Sequence, residues 1–250
     1  MKIITWNCNG AFRKKYHALA PLAADLLIIQ ECEDPSRSTA GYKEWAGDYL
    51  WLGESKNKGL GVFPRNGNTV QKLDWHGEFT IPGLRSASRS ITWQTNELRL
   101  FLPFTVNHTI TALAVWTKGK EDQAFGYMGQ LWKYLQIHHS NLSKERTILI
   151  GDFNSNTRWD KPDRWWSHSD TVAELERLGL RSLYHHCSNE NAGKESQPTL
   201  FLHRKQENPY HIDYAFLSAD LLGAADIEVG RYEDWISLSD HMPLVVSFVS

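Results

Sequence analysis

Several kinds of feature are scarce in this sequence, and each scarcity narrows what the chain can be. It has 3 cysteines, Cys8, Cys32 and Cys187, an odd number without the paired spacing of a zinc site. That usage fits free thiols in a reducing compartment, and for Cys8 and Cys32 the expected role is that of a small buried hydrophobe. No Pro- or Ser-rich run, block of like charge, low-complexity tract or internal repeat divides the 250 residues, so one domain over 1–250 is expected. No apolar run is long enough to span a bilayer. Met1–Asn7 already reads as a strand, where an export signal would show a charged region and a long apolar segment. The expectation is a cytoplasmic protein with no membrane association and no obligate protein partner. Positive charge is not in excess either. A formal net charge of −2 argues against a protein that grips nucleic acid by bulk charge. It still admits a nuclease whose cleft is locally positive through a divalent metal and a few Lys and Arg side chains.

What is abundant is core-forming material: 41% of the residues are hydrophobic, and 11 are Trp. The most informative stretch is Thr147-Ile148-Leu149-Ile150-Gly151-Asp152-Phe153-Asn154-Ser155-Asn156. Apolar residues run into a Gly, and a carboxylate and a carboxamide follow two apart. This reads as a buried strand opening into a loop that carries oxygen-bearing side chains, either an active-site edge or a strand followed by an Asx turn. Lys2–Cys8 reads as a strand ending in the polar tip Asn7-Cys8-Asn9-Gly10. A helix is expected through Tyr16, Leu19 and Leu22. Asp25–Glu31 is a strand buried on both faces, with Glu31 at its mouth as an active-site acid or a solvated loop carboxylate.

Further strands are expected at Tyr49–Gly53, Gly59–Pro64, Thr69–Trp75 and several times between Arg89 and Thr117. From about Gln123 to His139, Phe125, Met128, Leu131, Trp132 and Leu135 recur at helical spacing and predict an amphipathic helix with its aromatic stripe in the core. Trp159, Trp165 and Trp166 are interleaved with Arg158, Lys161 and Arg164. That composition suits either a platform for stacked bases and phosphates or plain loop packing. A helix is expected over Ser169–Leu178 with Ser169 as N-cap, then a strand over Tyr210–Leu217 carrying Asp213. Last, Asp240-His241 stands immediately before a terminal core strand, Leu244–Val249.

Taken together, Trp6-Asn7, Gln30-Glu31, Gly151-Asp152-Phe153-Asn154, Ile212-Asp213-Tyr214 and Ser239-Asp240-His241 resemble, in this order, the motifs of the endonuclease/exonuclease/phosphatase superfamily. Its members include exonuclease III-like abasic-site endonucleases, deoxyribonuclease I, sphingomyelinases and inositol polyphosphate 5-phosphatases. The resemblance runs from the first strand to the last. It implies an α/β fold, a four-layer sandwich of two packed mixed β-sheets flanked by helices, deoxyribonuclease I-like. It also implies a phosphodiester hydrolase dependent on Mg2+, with Mn2+ as a substitute. Glu31 would be the principal metal ligand, helped by Asn7, and Asp240 would be a carboxylate near the metal. Asp152 would orient or deprotonate the attacking water, and Asn154 would bond the phosphate or that water. His241 would contact the scissile phosphate, with Asp213 holding its other ring nitrogen.

The chemistry matches these residue types. A phosphodiester anion repels hydroxide, so its hydrolysis needs a cation on the non-bridging oxygen, an activated in-line water and charge relief for the leaving oxygen. Hard oxygen donors suit magnesium. Two departures distinguish the chain from the abasic-site enzymes: Asn9 stands where they carry an acid, and no counterpart of their DNA-inserting residues is evident. Trp116 ends the strand where many relatives carry a Tyr or His that touches the phosphate, so Trp116, Lys118 and Tyr127 join Arg158 and Trp159 as substrate-binding candidates. The reading is a nuclease acting by in-line attack of an activated water, with DNA as partner ahead of RNA. The alternatives are a phosphoesterase for a small phosphorylated molecule or lipid headgroup, and a catalytically inactive binding relative.

Overall fold

The computed structural model describes residues 1–82, 90–119 and 124–249. The strands in chain order are β1 (Lys2–Asn7), β2 (Leu26–Cys32), β3 (Leu50–Ser55), β4 (Lys58–Pro64), β5 (Val70–Lys72), β6 (Glu78–Pro82), β7 (Ser90–Gln94), β8 (Phe101–Val106) and β9 (Ile110–Trp116). They continue with β10 (Thr147–Asp152), β11 (Leu180–Ser182), β12 (Leu200–Phe201), β13 (Pro209–Tyr210), β14 (Asp213–Ser218), β15 (Ala225–Val229) and β16 (Leu244–Phe248). Two six-stranded sheets form, in the orders β15-β16-β1-β2-β4-β3 and β11-β14-β10-β9-β8-β5; β6-β7 and β12-β13 are separate two-stranded ribbons. Each large sheet is mixed. Parallel pairs β1–β2 and β9–β10 stand at the centres, and antiparallel strands flank them.

The period of two along each strand builds the layers. Ile3, Leu26, Ile28 and Val62 of the first sheet face Leu102, Phe104, Ile148, Ile150 and Leu217 of the second, in one shared core. Their neighbours point the other way. Ile4, Trp6, Leu27, Ile29 and Phe63 pack beneath Phe12, Tyr42 and Trp235, while Leu113, Leu149 and Phe216 pack beneath the helices Met128–Ile137 and His168–Arg177 through Leu131, Leu135 and Leu175. This is the α/β four-layer sandwich, and the near-continuous apolar runs of β2 and β10 are what strands covered on both faces require. Burial of one such Leu or Ile is worth roughly 1.5–3 kcal/mol. No helix of the described residues is long and apolar enough to cross a membrane.

Local structure differs from the sequence expectations where particular residues override periodicity. Tyr16–Leu22 is a 3-10 helix, not an α-helix, because Pro21 within it lacks the N–H that an α-helical bond needs. The α-helix expected over Ser169–Leu178 spans His168–Arg177 and is capped by Ser167. The Ser167 hydroxyl accepts from the Asp170 N–H, and the Asp170 carboxylate accepts from the Ser167 N–H at 3.0 Å. The aromatic-striped helix spans Met128–Ile137, with Phe125 outside it and stacked on Trp166 at 4.1 Å. Arg89 and Gln123, the proposed outer limits of two segments, lie outside the described residues. Tyr210–Leu217 is not one strand: it breaks at His211-Ile212, between β13 and β14, where Thr199 takes the backbone N–H groups out of the ladder.

Candidate active site

Strand ends of the two sheets meet at one edge of the sandwich, and the contacts between them are short. β10 ends in Gly151-Asp152, with Gly151 beside Val115 of β9 and Asp152 directly opposite Asp213 of β14. Glycine is obligatory at 151. Its φ is +145°, and an added Cβ would stand 2.0 Å from the Val115 carbonyl oxygen. That close approach lets the chain turn and send the fully buried Asp152 side chain between the sheets. There its Oδ2 accepts from Asn7 Nδ2 of β1 and from Asn154 Nδ2, both at 2.9 Å, and its Oδ1 accepts from the Asn154 backbone N–H at 2.8 Å. Asn154 itself has φ +46°, a left-handed turn that Asn tolerates well, and its Nδ2 also donates to the Thr117 carbonyl at 3.1 Å.

Opposite, Asp213 Oδ2 pairs with His241 Nδ1 at 2.9 Å, and both side chains are buried. Several bonds fix the segment that carries the imidazole. Trp6 Nε1 donates to the His241 carbonyl at 2.9 Å, the His241 N–H donates to Ser239 Oγ at 3.0 Å, and Ser239 Oγ donates to the Asn7 carbonyl at 2.7 Å. Thr199 clamps the acid: its hydroxyl accepts the N–H groups of Ile212 and Asp213, each at 3.0 Å, and its carbonyl accepts the Met242 N–H at 2.7 Å. Asp213 Oδ1 is buried with no hydrogen-bond partner among the described residues.

Burial and the neighbouring Asp213 carboxylate push the Asp152 carboxyl up to about 7, against the opposing influence of His241 and Asn7. Burial alone would lower the His241 imidazole. The carboxylates of Asp213, Asp152 and Asp240 prevail and push it up to about 10. At neutral pH the edge therefore presents a charged imidazolium beside a carboxyl poised between its two protonation states, a pairing suited to an anionic substrate and a water that must lose a proton.

The other anticipated residues lie nearer solvent. Glu31 sits in a β-bulge: the register of β2 on β4 shifts between Gln30 and Cys32, and Glu31 takes φ +62°. Its carboxylate is paired with the ammonium of Lys58, a residue that sequence reasoning did not single out. Asp240 Oδ1 accepts from Asn9 Nδ2 at 2.8 Å, so Asn9, where the abasic-site enzymes carry an acid, ties the first loop to the last. Asn7 Oδ1 accepts the Asn9 N–H at 3.0 Å. Among the described residues, Asp152, Asp213 and His241 form the one group of three or more His, Cys, Asp or Glu residues whose ligand atoms all lie within 4.8 Å of one another. Glu31 and Asp240 are not in it.

The substrate-binding candidates separate by exposure. Trp116 is buried, with the Lys118 ammonium 4.4 Å from its ring centroid, so its ring is not an open stacking surface, and Lys118 is the exposed member of the pair. Tyr127 is 37% and Trp159 46% exposed, and both line a cavity of about 730 Å³ that starts at Asn154 and also takes in Lys161, Arg164 and Trp166. Trp159 leans on Tyr210 at 5.1 Å, and Arg158 is exposed over the same ring at 5.6 Å. Thr199 and Ser239 act through hydroxyls on backbone groups. No periodicity or charge pattern signals such a clamp, although Ser239 stands within the Ser-Asp-His motif.

A model of the Endonuclease/Exonuclease/phosphatase family matches residues 4–241. The chain belongs to this family. No curated protein matches it. Among solved structures it is similar to a 3'-5' exonuclease from Neisseria meningitidis, with 20% identity, a TM-score of 0.70 and full coverage of both chains. It is also similar to a 3' phosphatase from Neisseria bound to a product DNA hairpin, with 20% identity, a TM-score of 0.69 and full coverage of both chains. An AP endonuclease from Archaeoglobus fulgidus matches at 17% identity and a TM-score of 0.65, over 99% of each chain. At these identities the structures speak for the fold. Family membership places this endonuclease/exonuclease/phosphatase protein among hydrolases of phosphoester bonds.

Proposed function

We propose that the protein is a divalent-metal-dependent phosphodiesterase that cleaves DNA. The observation that carries this reading is the contact of the buried Asp152 with Asn7 and Asn154, facing the Asp213–His241 pair across the same edge. In the proposed reaction the scissile phosphate is held by the His241 imidazolium and Asn154. Asp152 orients the attacking water in line with the leaving oxygen and accepts its proton at a carboxylate oxygen. Asp213 keeps the imidazole charged and correctly turned. The electrostatic contacts matter more in the transition state, where negative charge builds on the phosphoryl oxygens, than in the bound substrate.

Glu31, Asn7 and Asp240 would hold the metal. The donors fit a hard cation: all are oxygens, Glu31 and Asp240 are partly exposed with Asn7 buried behind them, and a positive charge, the Lys58 ammonium, already rests on Glu31. Bound there, magnesium would supply Lewis-acid charge neutralisation at the phosphate, and manganese would serve in its place. The close group Asp152–Asp213–His241 is better suited to proton and phosphate handling, because its imidazolium already neutralises one of its carboxylates.

DNA as substrate is supported by the cavity beside Asn154, where exposed indole and phenol rings alternate with Lys161 and Arg164, the pairing expected for bases and their phosphates. Two of the similar structures carry nuclease names and one holds a DNA hairpin. A single domain over 1–250 and a cytoplasmic location complete the reading. The test is a cleavage panel of single- and double-stranded DNA and RNA oligonucleotides with magnesium or manganese, with and without chelator, repeated with Asp152→Asn. Intact oligonucleotides throughout would overturn the choice of substrate. Release of phosphate from nucleotides, inositol phosphates or choline lipids in the same series would favour a small-molecule phosphoesterase, a reading to which the net charge of −2 lends some support.

A further inference from the structure

Lys58 occupies a position that the β-bulge creates. In the β2–β4 ladder Gln30 pairs with Leu60 and Cys32 with Gly59, so Glu31 is the extra residue on β2 and is turned out of the ladder with φ +62°. Lys58 is the next residue of β4, immediately beyond the bulge. The hairpin that carries it is pinned, since the Asp34 N–H donates to the Lys56 carbonyl at 2.9 Å. The lysine stem passes over the first loop, where a Cβ built on Gly10 would stand 3.9 Å from Lys58 Cε, and the ammonium ends on the Glu31 carboxylate. The Lys58 side chain is 51% exposed and that of Glu31 19%, so the carboxylate is the better-held partner and the ammonium is free to leave.

We propose that Lys58 is a built-in competitor for the divalent cation. Its ammonium occupies Glu31 in the metal-free protein and is displaced when the metal binds. This rests on the reading of Glu31 as a metal ligand. An ammonium and a divalent cation seek the same carboxylate lone pairs, and they repel each other at that distance. Metal binding must therefore break the ion pair first, and affinity is set by the difference between the two contacts. Such a pair keeps the acid neutralised without metal, and it makes occupancy of the site depend on the free-metal concentration.

The test is Mn2+ binding to the whole protein, read from the electron paramagnetic resonance signal of free Mn2+, for wild type, Lys58→Met, Lys58→Arg and Glu31→Gln. The folded state of each variant is checked by its thermal transition. Lys58→Met should bind Mn2+ about two- to fivefold more tightly, the factor by which a partly exposed ion pair holds its carboxylate. Lys58→Arg, which keeps the charge and adds donors, should bind no more tightly than wild type. Tightening is what a merely structural lysine would not produce. Unchanged or weaker binding in folded Lys58→Met overturns the proposal when Glu31→Gln weakens binding. Unchanged binding in Glu31→Gln overturns the assignment of Glu31 as ligand, and the proposal with it.

Discussion

The two halves of the candidate site are built to different standards. The half formed by Asp152, Asp213 and His241, with Asn154 half-buried beside them, lies between the sheets and is fixed by bonds from four separate strand ends or loops. The half formed by Glu31, Asn9 and Asp240 is partly open, and its carboxylates are held by a lysine and a carboxamide. The enclosed groups are held in a fixed orientation, and burial and near neighbours push both Asp152 and His241 above their ordinary ranges. Groups that must exchange a partner lie nearer solvent, where the cost of exchange is small.

If the enclosed half performs the chemistry, Asp152→Asn and His241→Ala should each lower kcat by about a thousandfold or more, measured as initial cleavage of a labelled DNA oligonucleotide. Losses below tenfold would break the comparison. Asp213→Asn should cost about a hundredfold and also change the pH profile. In wild type the rate should climb as Asp152 loses its proton around pH 7 and fall as His241 loses its own around pH 10; without the Asp213 charge the alkaline fall should move toward neutral pH.

Stability carries the same signatures with opposite signs. The folded value of His241 lies above the ordinary 6.5, so its pairing supports the fold fully below about pH 6.5 and loses that support as pH rises through about 10. Asp152 works against the fold as pH rises from about 4 to about 7, where the unfolded chain has released a proton that the fold retains. Urea titrations across pH would show both slopes.

Smaller effects sharpen the contrast. Thr199→Val strips the acceptor from two buried N–H groups and should cost roughly 2 kcal/mol, lowering Tm by roughly 4–8 °C in a chain of this size. Its kcat loss should exceed that of any substitution at Asn9, which joins exposed groups. At the rim, Trp159→Ala should raise KM for single-stranded DNA about five- to tenfold and leave kcat nearly unchanged, as expected for a stacking surface remote from the reacting atoms.

Much of this was legible in the chain. The runs Leu26–Ile29 and Ile148–Ile150 announced strands covered on both faces, and each polar terminus after such a run proved to lie at the same edge of the sandwich. Glycine followed by Asp-Phe-Asn announced the turn, and the structure adds the reason in the Val115 carbonyl. Helix limits were less legible, since Ser167 and Ser169 are equally good caps until Asp170 is seen to bond back to Ser167. Trp116, read as a contact for substrate, is enclosed, because the last residue of a central strand is still inside the sheet.

By itself the sequence determined the strand pattern and the identity of the groups at the strand ends, because periodicity and side-chain chemistry are local properties. Tertiary structure alone decided that Thr199 clamps Asp213, that a bulge turns Glu31 toward Lys58, and that Asp152 and His241 are enclosed deeply enough to titrate far from their ordinary ranges. Each of these joins residues remote in sequence, and their energies depend on distance and desolvation, which exist only once the sheets have closed on each other.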